Sequence, residues 1–258
     1  MAKQLMIYER AVPISSESHR DWSVKMGSDY KFSSGVNSVP LLAAEFLAAA
    51  QDYAIVFAGN GADLVPTVIL GIRDNENSQV ATDGSWLGSY VPAFLRRYPF
   101  IFSQSQDEKN FVLCIDEEFD GFNQAGKGER LFDSDGERTA FLQNKLAFVT
   151  EYQSLFERTS AFCKRLKENN LLEEAHAHFN LVDGKSASLS GFFRINREKL
   201  KALPSETLTQ MLQSDELELC YAHLFSLGNL TSMAQKNGAS DGIHIAEKRN
   251  GPSRAKTN

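Results

Sequence analysis

Between Asp83 and Phe100 the chain reads DGSWLGSYVPAFLRRYPF, and this stretch restricts the fold more than any other. Asp83-Gly84 signals a turn, because Gly tolerates positive φ and Asp bonds its own backbone two residues on. Pro92 suits the first turn of a helix, where its missing N–H would be unpaired anyway. Pro99 stops that helix and pushes Tyr98 into an extended conformation. The spacing predicts a turn, a short helix from Pro92 to Arg97, and a strand from Tyr98 to Phe102. Phe94 and Leu95 then face inward, with Arg96 and Arg97 nearer the rim. Two adjacent guanidinium groups beside aromatic rings can bind a carboxylate or stack on a partner's rings. Trp86, Tyr90, Arg96, Arg97 and Tyr98 are therefore the candidate binding residues. The competing reading is a packed corner whose Arg pair meets the protein's own carboxylates.

Before this stretch, Met6 to Ile14 reads as an edge strand broken by Pro13, and Tyr30-Lys31-Phe32 as a short strand. Asn37 or Ser38 can cap a helix carrying Leu41, Leu42, Phe46 and Ala49. Ala54 to Ala58 and Leu64 to Ile72 read as buried strands, and Gln79 to Ala81 as a short one. Beyond it, Ile101-Phe102 and Phe111 to Ile115 pair as a hairpin. The first half is thus predicted to be an antiparallel meander with helices on one face.

The pattern changes after Gly128. Ser134 and Glu137 have capping-box spacing. From there Leu142, Leu146, Val149, Tyr152, Phe156, Thr159, Cys163 and Leu166 recur at helical steps, so a long amphipathic helix runs from about Glu137 to Glu168. Ala175 to Val182 and Leu189 to Ile195 form a hairpin turning at Asp183-Gly184. Helices follow from Asn196 to Leu203, Pro204 to Leu212 and Leu217 to Ala234. The expected fold class is α+β: an antiparallel β meander with helices in the N-terminal half, and a long helix, a β-hairpin and helices in the C-terminal half. It forms one domain over 1–236, β-rich over 1–128 and helix-rich over 129–236. The polar segment 237–258 is expected to be a disordered tail.

A share of 42 % hydrophobic residues is ample for a core in 258 residues. With 27 basic and 33 acidic residues, the net charge of -6 argues against a nucleic-acid binder. The apolar run from Val39 to Ala50 contains Glu45 and is too short to insert in a membrane. The N-terminus lacks the apolar core of a signal peptide. Cys114, Cys163 and Cys220 are odd in number and sit in apolar patterns, so reduced, buried thiols and a cytoplasmic location are expected.

Four motifs invite chemistry. His176 and His178 share one face of a strand, as a metal pair would, but no third ligand follows at a familiar spacing. They are read as solvated, with no metal or cofactor expected. Asp116, Glu117, Glu118 and Asp120 follow a strand directly; such a run can bind Mg²⁺ or act as acid and base, and is more commonly a solvated loop or an Arg partner. Gly121 to Lys127 has the G-x4-G-K frame of a phosphate loop, but Gly128 replaces the Ser or Thr and no helix follows. His223 sits on an apolar helix and is read as a satisfied core residue; His19 and His244 fall in loop and tail.

DGSW-x4-YVPAFLRRYPF resembles the hallmark segment of the SapC family. The likeness extends to Val39-Pro40-Leu41 with Glu45-Phe46, Ile55-Val56-Phe57, Leu131-Phe132-Asp133 with Gly136, Gly191-Phe192-Phe193-Arg194-Ile195, and Tyr221-Ala222-His223-Leu224. It covers about Tyr8 to Ala234; Ala54 departs from the family pattern, where a Pro is expected. The family takes its name from a surface-layer protein export locus, and members are often found beside outer-membrane receptors and flavin-dependent halogenase-like proteins. The resemblance implies no established reaction and no catalytic residues. Two functions remain open: a non-enzymatic cytoplasmic accessory protein that binds a polypeptide partner, or an enzyme acting on a peptide or small molecule alongside an oxidoreductase. Convergence of the His176/His178 face and the acidic loop in one pocket would favour the enzyme.

Overall fold

The computed structural model describes residues 6–59, 64–104, 111–180, 186–236 and 244–247. Strands β1 (Ala11–Pro13), β2 (Ser23–Val24), β3 (Ser38–Pro40), β4 (Ile55–Ala58), β5 (Val65–Ile69), β6 (Phe100–Gln104), β7 (Phe111–Asp116), β8 (Phe122–Asn123) and β9 (Glu129–Arg130) occupy the first half. β10 (Leu172–Asn180), β11 (Ser186–Ile195) and β12 (His244–Glu247) occupy the second. They form three antiparallel sheets, ordered β1-β7-β6, β8-β2-β9 and β12-β10-β11-β4-β5-β3. The architecture is α+β, strand-rich first and helix-rich later. The largest sheet joins the halves, because Phe193 of the late hairpin pairs with Phe57 of β4.

Helices α1 (Ser16–His19), α2 (Phe46–Ala49) and α3 (Ala93–Arg96) are single turns. The long helix α4 runs Ala140–Glu168, about 44 Å at 1.5 Å per residue. Its buried stripe includes Leu142, Val149, Tyr152, Phe162 and Leu166. The first half of that stripe packs with Phe100, Leu113 and Ile115 of the β1-β7-β6 sheet. The second half meets Phe46 and Phe57, whose rings lie 6.1 and 6.4 Å from Phe162. One helix thus closes two cores, which is what its length and unbroken period allow. A third core lies between Val56, Ala177, Phe179 and Phe192 on the large sheet and Leu230 and Met233 of the last helix.

Several local expectations are corrected. Tyr30-Lys31-Phe32 is no strand; Lys31–Ser33 is a 3-10 turn. The helix expected from Ser38 begins as strand β3, passes through a 3-10 turn at Ala43–Glu45 and becomes helical only at α2, because Pro40 favours extended backbone before it. Ser134 does not cap α4. Asp133 Oδ1 instead accepts from the amides of Asp135 and Glu137, both at 2.9 Å, closing a turn, and Thr139 caps the helix by accepting from Leu142 N. After α5 (Arg197–Lys201) and α6 (Ser205–Gln213), the helix expected over Leu217 to Ala234 is two: α7 (Glu216–Ser226) and α8 (Asn229–Lys236), parted at Gly228. Four residues of the expected disordered tail form β12, paired to β10. The predicted Asp183-Gly184 turn lies outside the described residues, as does the rest of that tail.

Candidate functional site

Pro92 does locally what the sequence demands, whereas the strand expected from Tyr98 begins only at Phe100, with Tyr98 and Pro99 still in the turn. Pro92 caps α3, and the backbone turns through Arg97 and Tyr98 into β6. Beneath this corner lies Glu45, 6 % exposed. Its Oε1 accepts from the Tyr90 hydroxyl at 2.6 Å and from Ala93 N at 2.7 Å, and its Oε2 from Leu42 N at 2.9 Å. Burial, then the hydrogen bond and charge of Glu45, push Tyr90 up to about 12, so its hydroxyl stays a donor. Trp86 Nε1 donates to Tyr53 Oη at 2.9 Å and Tyr90 O at 3.0 Å. Gly88 is needed there, since a Cβ would stand 2.0 Å from the Tyr53 hydroxyl. Trp86 and Tyr90 are thus half-buried and wired into the scaffold.

The two arginines part company. Arg96 is exposed, and its Nε donates to Val91 O at 3.0 Å while the guanidinium lies over the rings of Tyr90 and Phe148. Arg97, expected at the rim, is 2 % exposed, with its guanidinium 4.5 Å from the ring centres of both Phe94 and Tyr152. The correction has a geometric reason. Arg97, the C-cap of α3, keeps helical backbone and donates its amide to Ala93 O at 3.0 Å, so it lies on the same face as buried Ala93 and points inward with it.

Tyr98, also buried, donates its hydroxyl to Asp116 Oδ2 at 3.2 Å. Asp116 is fully buried and accepts from Glu9 N at 2.9 Å and Arg10 N at 2.8 Å, so the first acidic residue after β7 ties the N-terminal segment down. Glu117 meets His19 Nε2 at 3.1 Å and Arg10 at 3.2 Å; it does not meet the Arg pair. His19, expected in a loop, is buried in α1. Glu118 and Asp120 remain exposed.

These two line a cleft of about 930 Å³ together with Arg96 and Tyr98. Tyr30, Phe32 and Phe119 add rings to its lining. Phe32 stacks on Tyr98 at 4.1 Å and 18°, and Phe119 meets Tyr98 edge-on at 5.4 Å. Charges of both signs surround the rings, with Lys25, Lys31 and Lys127 opposite Glu9, Asp29, Glu118 and Asp120 in sign. Of the five candidate binding residues, Arg96 and Tyr98 reach this cleft. Phe119 and Phe32 were missed as binding residues, although the first stands inside the acidic run and the second in the Tyr30-Lys31-Phe32 segment.

The other motifs lie elsewhere. His176 and His178 sit on β10 of the large sheet, away from the cleft lining, whereas the acidic loop follows β7 of another sheet. Among the described side chains no group of three or more His, Cys, Asp or Glu is arranged to hold a metal. In the G-x4-G-K frame, Asn123 Oδ1 accepts from Ala125 N and Lys127 N, so the segment closes on itself. His223 is a core residue as expected but only half satisfied: its Nε2 accepts from Ile195 N at 3.0 Å, its buried Nδ1 has no hydrogen-bond partner among the described residues, and burial pushes it down to about 3. The three cysteines are buried and free.

With this geometry in hand, comparison with known proteins is informative in one respect. The SapC family matches residues 14–233, most of the chain. The chain belongs to the SapC family. No curated protein and no solved structure matches it. Within this SapC protein the match ends before β12, so the strand pairing with β10 lies beyond the matched region. Among the described residues no helix is long and apolar enough to cross a membrane.

Proposed function

We propose that this SapC-family protein is a non-enzymatic cytoplasmic accessory protein that binds a polypeptide partner in the cleft between Arg96 and the Glu118/Asp120 loop. The observation that carries the reading is the cleft itself. The stacked pair Phe32 and Tyr98, with Phe119 edge-on to Tyr98, lies among charges of both signs. Rings offer apolar area with little rotamer entropy to lose, and mixed charges give an extended segment its register. The segment that fits carries a ring or proline to pack on the aromatic lining and a carboxylate for the exposed Arg96 fork.

Two features support binding over catalysis. The His176/His178 face and the acidic loop belong to different sheets and do not converge. His223, Cys163 and Cys220, all strongly displaced by burial, make no part of the cleft. Tyr98, which lines it, is pushed up by burial and the Asp116 charge, so its hydroxyl stays protonated and serves as a donor, not a base. Membership of the SapC family supports a setting in surface-layer protein export or outer-membrane uptake as part of this proposal. The test is capture from native-host extract with wild type, Arg96→Glu and Asp120→Lys, the three matched in melting temperature. A protein retained by wild type and lost from both variants supports the cleft; an identical set of captured proteins in all three removes it.

A further inference from the structure

Helix α7 reads ELELCYAHLFS, and between Leu217 and Phe225 only Glu218 and His223 are polar. The side chains it buries are small or polar: Glu216, Cys220, Ala222, His223 and Ser226. Two of them serve strand ends, His223 Nε2 accepting from Ile195 N at 3.0 Å and Ser226 Oγ from Ile55 N at 2.9 Å. The two rings of the helix are outside. Tyr221 is 42 % exposed and Phe225 76 %, and four residues apart they share one face. α2, packed beside α7, adds Leu47, also exposed. An ordinary surface helix turns its bulky apolar side chains inward, whereas a helix that is apolar all round is one covered all round.

Charge narrows what covers this face. From Ser205 to Gln235 the chain holds Glu206, Asp215, Glu216 and Glu218 and no Lys or Arg, and from Phe32 to Ile72, around α2, it holds no Lys or Arg either. Glu216 is buried and engages Arg165 of α4, while Asp215 and Glu218 are exposed. The elements that carry the rings therefore surround them with carboxylates alone. A second copy of the chain would bring the same carboxylates to them, with no cation on these elements to offset the repulsion. The basic end of this chain, Lys248 to Lys256, has charge but no large apolar side chain to lay on the rings.

We propose that the face formed by α2 and α7 docks a basic amphipathic helix of a partner protein. Its apolar stripe covers Leu47, Tyr221 and Phe225, and Lys or Arg beside that stripe meet Asp215 and Glu218. Such helices seat apolar anchors at i, i+3, i+4 and i+7, and a large ring buried at the centre of an interface carries much of its energy. The opposite charges steer the encounter and fix its direction, and their pull weakens as salt rises. None of these residues lines the cleft, so the two sites are separate and neither reading rests on the other.

The test uses the full chain and a labelled synthetic Leu/Lys peptide of amphipathic helical pattern, with its Leu/Glu counterpart as control, both read by fluorescence anisotropy. The Leu/Lys peptide should bind saturably and less tightly as NaCl is raised, and the Leu/Glu peptide should bind about tenfold more weakly or worse. Phe225→Ser and Tyr221→Ser should each weaken the Leu/Lys peptide by about tenfold or more at unchanged melting temperature. Leu87→Ser, at a residue equally open but on another segment, should leave it unchanged. Should a ring variant lose its fold, Glu218→Lys decides, since it keeps the rings and should bring the two peptides' affinities together. No binding of the Leu/Lys peptide, equal binding of the two peptides to wild type, or binding unchanged by both Phe225→Ser and Glu218→Lys overturns the proposal. So does sedimentation showing a wild-type dimer that Phe225→Ser separates, which would make a second copy the occupant.

Discussion

Tyr90 donates its hydroxyl to Glu45 at 2.6 Å, and the same carboxylate oxygen accepts the amide of Ala93 at 2.7 Å, so a side chain from before α2 fixes where α3 begins. With Leu42 N on the other oxygen, the buried carboxylate has three donors and is satisfied. The cleft wall that carries Arg96 is therefore held from beneath by Glu45.

Glu45→Gln keeps the shape but sets an NH₂ against one of these donors. It should cost about 1–3 kcal/mol, the penalty for stranding a buried polar group. Tyr90→Phe leaves both backbone donors paired and should cost less. Urea midpoints at constant slope measure both. A Tyr90→Phe loss equal to or above that of Glu45→Gln would show that the hydroxyl, and not the two amides, is what the carboxylate holds.

The Arg pair gives a sharper separation. Arg96 is exposed, so Arg96→Lys should change stability by no more than about 1 kcal/mol. Arg97 lies between the rings of Phe94 and Tyr152, where Lys cannot stack a planar group, and Arg97→Lys should cost about 2 kcal/mol or more. Phe94→Ala, with its ring wholly buried, should cost about 3–5 kcal/mol. Equal costs for the two Lys variants would mean that Arg97 is no brace.

Much of this fold was legible from local pattern. α4 announced itself because a helix lying along two cores needs an apolar residue at nearly every turn, and Leu142 through Leu166 supply it. The hairpin of β10 and β11 was readable because alternation survives where one face is covered. Arg97 was misplaced because it was read with its neighbour Arg96, although the helical period sets it four residues after Ala93, on a face that is buried. The split between α7 and α8 hinges on Gly228, which a helical pattern tolerates on paper. The cleft was illegible for a different reason. Its lining comes from the segments around Lys25–Phe32, Leu95–Tyr98 and Glu118–Lys127, and no single segment carries it.

The thiols provide a test of the core. Cys163 and Cys220 are 2 % and 0 % exposed, and burial pushes both up to about 12, where almost no thiolate forms at neutral pH. Cys114 is raised by the same cause. Alkylation of the native protein should therefore be negligible over the time in which denatured protein reacts with three equivalents. One fast-reacting thiol in the native state would contradict this packing, and peptide mapping would say which core had opened.

His223 sets the acid limit of the fold. Its ring is 0 % exposed against Phe57, its Nε2 accepts from Ile195 N, and burial lowers it from 6.5 to about 3. Between those values the unfolded chain binds a proton here that the folded chain does not. Stability from this group is therefore complete above about pH 6.5 and is lost as pH falls toward about 3. His223→Gln removes the titration. The variant should be weaker at neutral pH by about 1–3 kcal/mol, since the Ile195 amide loses its fitted acceptor. Its stability should also fall less steeply between pH 6 and pH 4 than that of wild type. Chemical denaturation at those two pH values gives the slope. Parallel slopes in variant and wild type would mean that His223 is protonated in the fold, and that the hydrogen bond from Ile195 N has been assigned to the wrong state of the ring.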